Sequence, residues 1–120
     1  MSPVPATPPL KLVACYKQRI KFAAHYKQCK AKYEECVFQF YVLSEVLELI
    51  TAPHDSKTYL DLVSDIEAAR LAADNASQIL DAACEQYVQC CQTLATVKQA
   101  LICHFTQISE SNTASTVLTL

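Results

Sequence analysis

The sequence predicts an all-α chain: a long antiparallel two-helix hairpin with a coiled-coil seam, completing a helical bundle with a partner or a second copy. Three observations carry this expectation. Apolar residues recur at alternating spacings of three and four from Leu12 to Ile50, the same pattern resumes at Tyr59 after a short proline-containing gap, and the chain contains no glycine. A three-four repeat held over several heptads draws one narrow apolar stripe along a helix, and a second helix must cover it. Glycine supplies the backbone of tight turns and of close cofactor approach. Its absence favours long helices with few turns and excludes glycine-rich nucleotide motifs, so no cofactor is expected.

The chain is one domain. Residues 1–9 hold four of the five prolines and are expected to form a flexible leader with polyproline II character. Pro5 and Pro8 make a bare PxxP spacing, which is a weak signal by itself. The hairpin spans 10–109. Helix 1 is predicted over about 9–51, with Thr7 as its cap and Pro8 and Pro9 in the first turn, where a missing N–H is harmless. Its seam is Leu12, Cys15, Arg19, Phe22, Tyr26, Cys29, Tyr33, Cys36, Phe40, Leu43, Leu47 and Ile50, with Arg19 the one residue that is not apolar.

Pro53 disfavours helical geometry at Ala52, which sets a turn over 52–57. Asp55, Ser56 and Thr58 are alternative caps for the second helix, Thr58 with Asp61 matching a capping box. Helix 2 is predicted over about 58–109. Its seam is Tyr59, Leu62, Ile66, Ala69, Ala73, Ala76, Leu80, Ala83, Tyr87, Cys90, Leu94, Val97, Leu101, His104 and Ile108. Residues 110–120 begin polar, end in a short apolar patch and are expected to form a flexible tail.

The two seams fit in one register. If the chain folds back between Ile50 and Tyr59, position i faces position 109 minus i, and every seam residue of helix 1 meets one of helix 2. Size then alternates across the layers, with Tyr26, Tyr33 and Phe40 set against Ala83, Ala76 and Ala69. Large against small fills a core without voids. Helix 2 outlasts its partner, which leaves Leu101, His104 and Ile108 to be covered by something else.

Charge is segregated although the net value is only −2. Lys11, Lys17, Arg19, Lys21, Lys27, Lys30 and Lys32 precede the first acid, Glu34, and all twelve acids follow. The six lysines of this run form a candidate basic patch. Interleaved aromatics raise the possibility of a nucleic-acid site or an anionic membrane surface. Against it, those aromatics other than Tyr16 belong to the seam, and lysine, not arginine, dominates, whereas base edges are read mainly by arginine. A solvated face, or a dock for an acidic partner, is favoured.

The seven cysteines are odd in number, and five lie on or beside the seam. Cysteine is among the residue types most often buried, so they read as apolar filling in a cytoplasmic or other reducing intracellular compartment. A Cys15 bridge to Cys90 or Cys91 is the minor alternative. His25 and Cys29, four apart, share a helix face, but no CxxC or HxxxH spacing accompanies them and no metal site is expected. The most apolar run, residues 37–50, is too short and too polar to span a bilayer. No nucleophile-base-acid spacing is discernible, and no catalytic residue is assigned.

The informative excess is apolar surface outside the seam: Phe38, Tyr41, Val42 and Leu49 on helix 1, and Leu60, Val63, Leu71, Ile79, Val88, Ile102 and Phe105 on helix 2, with Cys91 and Ala95 beside them. A two-helix hairpin has no third layer to hide them, and exposed patches of this kind mark partner surfaces. The expected function is a non-enzymatic structural or assembly subunit binding protein helices, as a homo- or hetero-oligomer. The alternatives are a small chaperone or adaptor that shields an amphipathic client helix, and a basic-ended binder of nucleic acid or membrane surface.

Overall fold

The computed structural model describes residues 8–119, with side chains described from 8 to 108. Two helices, α1 (Pro8–Leu49) and α2 (Lys57–Thr119), form a hairpin. Neither strands nor positive-φ residues occur among the described residues. Pro8 and Pro9 stand in the first turn of α1 as predicted. The Thr7 cap and most of the leader lie outside the described residues.

Among the three candidate caps of α2, the turn selects Ser56. Its Oγ accepts from the Tyr59 N–H at 3.2 Å and donates to the Pro53 carbonyl at 2.7 Å. That carbonyl also receives the Ser56 N–H at 3.0 Å. One residue therefore closes the turn and satisfies an N-terminal donor of α2. α1 stops two residues short of the predicted 51, because Pro53 drives the preceding chain extended. Ser56→Ala should lower stability by about 1 kcal/mol while Ser56→Asp keeps most of it. Urea unfolding followed by circular dichroism measures both, and equal loss in the two variants would contradict the cap.

α2 runs past the predicted end at 109 to Thr119 and so takes in residues expected as a flexible tail. The segment contains neither glycine nor proline to stop a helix.

Burial follows the seam. Every seam residue from Leu12 to Ile50 and from Tyr59 to Leu101 is buried or half-buried. The tightest positions are Ala83 at 1% exposure and Cys36 and Leu94 at 5%. Only His104 and Ile108, beyond the reach of α1, are exposed. Arg19 holds its place by packing its stem and laying its guanidinium 5.0 Å above the Tyr16 ring.

The contacts divide the chain into a turn unit, Ala23–Gln86, and a terminal unit, Met1–Phe22 with Tyr87–Leu120. In the turn unit, one face brings Cys29, Lys32 and Cys36 beside Ala72, Ala76 and Ile79, and the other brings Tyr33, Val37 and Phe40 beside Arg70, Ala73 and Ser77. These groupings lie one residue to either side of the predicted register and bracket it. At the turn, the His54 and Tyr59 rings stack at 4.7 Å. In the terminal unit, Pro8 and Lys11 share a groove with Val97 and Leu101, which agrees with the predicted register and gives Leu101 its cover.

Candidate helix-binding surface

With the seam labelled a and d, from a at Leu12 and at Tyr59, the remaining heptad positions fall into flanks (e and g) and an outer face (b, c and f). In an antiparallel pair, e flanks meet e flanks and g flanks meet g flanks. The two sides differ. On the e side Tyr16, Ala23, Val37, Ser44, Ser77 and Cys91 are half-buried while Lys30, Val63, Arg70, Cys84 and Phe105 are exposed, whereas on the g side Gln18, His25, Lys32, Gln39, Val46, Ala72 and Ile79 are all exposed.

Small α2 residues explain the opening. In the turn unit, Ala72 and Ala76 leave a trough of about 480 Å³ floored by Cys29 and Cys36 and rimmed by His25, Gln28, Lys32, Gln39 and Asn75. The Cys29 Sγ lies 3.7 Å from the His25 Nε2 in its wall, so the pair shares a face as its spacing predicts. Among the described residues, no group of three or more His, Cys, Asp or Glu is placed to hold a metal.

The outer apolar residues stand in water. Phe38 and Tyr41 are each 67% exposed and Leu49 73%. Val42, Leu60, Val63, Leu71, Ile79, Val88, Ile102 and Phe105 are likewise exposed. The structure adds Leu10, Val13, Ile20 and Val46, which the sequence reading passed over. Their b, f and g positions carry the same signal.

The predicted residues do not form one patch. In the turn unit, Phe38, Tyr41, Val42 and Leu49 of α1 cluster near the fold-back, and Val42 lines a shallow depression with Phe38, Gln39 and Leu43. On α2 the b and e positions are apolar at Leu60 and Val63 but polar in between, where Arg70 bonds Glu67 and, at 2.9 Å, Asp74. The Arg70 hydrogen bond and charge hold the Glu67 carboxyl below its ordinary range. In the terminal unit, the b and e positions turn apolar again at Val88, Ile102 and Phe105, and Phe105 packs its ring edge to His104 at 5.8 Å.

The basic-patch residues Lys11, Lys17, Lys21, Lys27, Lys30 and Lys32 are all exposed, and no ion pair holds them among the described residues. Tyr26 and Tyr33, interleaved with them, are half-buried in the seam. All seven cysteines are free thiols, with Cys29 and Cys36 buried. In the terminal unit the Tyr87 phenol is raised above its ordinary range, first by its hydrogen bond with Cys91. No helix among the described residues is long and apolar enough to cross a membrane. No protein-family profile, curated protein or solved structure matches the chain.

Proposed function

We propose that the chain is a non-enzymatic helical-hairpin interaction subunit that assembles with protein helices through its outer apolar faces, in a reducing intracellular compartment. The observation that carries this reading is the contrast between a seam that is satisfied and an outer face that is not. Phe38, Tyr41 and Leu49 remain at least two-thirds exposed, whereas the seam residues beside them, Phe40, Leu43, Leu47 and Ile50, are all half-buried. Large apolar groups left in that state gain about 25 cal/mol for each Å² removed from water, and helices packing onto a hairpin to complete a bundle supply the cover. Buried free thiols at Cys29 and Cys36 agree with a compartment that keeps cysteine reduced.

The test replaces the projecting residue of each outer face, Phe38→Lys together with Leu71→Lys. The helical signal and melting of the hairpin should change little, because both residues lie outside the seam and are at least half exposed, while the mass of the assembly falls. Unchanged mass would remove the outer faces from the account.

The trough between Cys29, Cys36 and Ala76 favours a second reading, a chaperone that shields one edge of a client helix. Such a protein stays dispersed alone and exchanges its clients, whereas a constitutive subunit holds its partners permanently. Salt separates both from a basic binder of phosphate, which weakens steeply with ionic strength.

A further inference from the structure

The trough on the g side of the turn unit has a chemistry that the helix-binding reading does not use. Its floor is apolar. Cys29 and Cys36 are 8% and 5% exposed and Ala76 is 7%, with Ala72 and Ile79 along the α2 side. The polar part of its lining consists of one ammonium, Lys32, one imidazole, His25, and the side-chain amides of Gln28, Gln39 and Asn75. No aspartate or glutamate lines it among the described residues, although the chain carries twelve acids. Glu35, three residues beyond Lys32, stands outside the lining, and no ion pair engages Lys32 among the described residues.

The groove on the other flank of the same unit differs in each respect. It holds about 250 Å³, its lining includes Asp74, and its one cation, Arg70, is tied to Glu67 and Asp74. There the positive charge is already spent inside the chain, whereas in the trough it is on offer.

The shape of the trough narrows the ligand further. Its α1 wall, from His25 to Gln39, is about 21 Å long at 1.5 Å per residue, so a volume of about 480 Å³ is drawn out along the helix. Lys32 and His25 lie farther from the turn than Cys36 and Gln39. A mostly apolar concavity with a few polar groups suits a ligand that is apolar along most of its surface and fixed by those groups. Here the fixing group has to be an anion, and the apolar body has to be long.

We propose that the trough binds one free fatty acid anion, with its carboxylate on Lys32 and its alkyl chain laid over Cys36, Ala72 and Ala76 toward Gln39. The ammonium gives the carboxylate a charge-assisted hydrogen bond, and the floor removes the chain from water. The two alanines leave the room that the chain fills. This site goes beyond the helix-binding reading and stands without it, because it uses neither Phe38 nor any other residue of the outer apolar clusters except Ile79.

The experiment titrates dodecanoate into the full chain under reducing conditions, below the concentration at which dodecanoate forms micelles, and reads the heat of binding. Saturable binding of one dodecanoate per chain is expected, with dodecanol, which has the same chain and no charge, at least ten-fold weaker. Lys32→Glu and Ala72→Phe should each weaken dodecanoate at least ten-fold, the first by reversing the charge at the head group and the second by filling the trough. Both positions are exposed, and circular dichroism checks that each variant keeps its helices. Lys98→Glu makes the same charge change at an exposed position of the terminal unit and should leave the affinity unchanged. Absence of saturable binding, or dodecanol binding as tightly as dodecanoate, would overturn the proposal. Equal weakening by Lys32→Glu and Lys98→Glu would overturn it as well, since that marks a general charge effect. Ala72→Phe without effect on dodecanoate would take the ligand out of the trough, and if that variant instead lowers the mass of the assembly, the trough belongs to a protein helix.

Discussion

Leu94→Ala destabilises the hairpin by about 3 kcal/mol, the largest loss expected from any single truncation in the terminal unit. Leu94 is 5% exposed, the most buried large side chain of the seam. Its register partner is Cys15, half-buried and too short to fill the space that alanine would leave. The cost combines lost burial with a cavity that two stiff helices relax into only partly. Denaturant unfolding of the variant measures it. A loss below about 1 kcal/mol would mean that Leu94 is not a core residue and that the seam does not continue into this unit.

Phe40→Ala should cost a similar amount, about 3 kcal/mol, at the lower end of the range for buried phenylalanines. Phe40 is half-buried and lines a groove of about 250 Å³ with Tyr33, Ala73 and Arg70. Alanine would extend that groove, and water entering from its open side limits the penalty compared with a sealed cavity. The two substitutions lie in different contact units, and the groove at Phe40 is lined by no residue of the unit that holds Leu94, so the double variant should show additive losses. A loss at Phe40 below about 1 kcal/mol would place the ring in solvent and shift the register.

The seam was legible because its signal is redundant. Each of many layers repeats the same choice, and one polar exception such as Arg19 is absorbed when its stem packs and Tyr16 receives its guanidinium. The outer face was legible for the complementary reason: the residues at b, c and f that the seam rule could not place, Phe38 and Leu71 among them, are the ones left exposed. Less legible was whatever depends on one local competition. Asp55, Ser56 and Thr58 have comparable capping chemistry, and the choice of Ser56 follows from the position of the Pro53 carbonyl, which is a property of the folded turn. The end of α2 was drawn too early because a polar segment was read as a stop, although serine and threonine lower helix propensity without breaking the helix.

The asymmetry of the flanks had no sequence signal at all. A heptad pattern treats e and g alike, yet Val37 and Ser77 are half-buried on one side while Gln39 and Ile79 are exposed on the other. On the exposed side, Ala72 and Ala76 line the trough over Cys29 and Cys36. Exposed Leu10, Val13 and Ile20 were passed over because they stand among lysines. There the charge drew attention to anionic ligands and away from the apolar residues between them.

The claim on which the account turns is that the outer faces of this hairpin are association surfaces, and the solution mass of the reduced 120-residue chain across concentration tests it most directly. The account predicts a mass of at least twice 13.3 kDa, falling toward the single-chain value when Phe38→Lys and Leu71→Lys are introduced together. A chain that stays at 13.3 kDa at every concentration, with the double variant indistinguishable from it in mass and melting, would contradict that claim.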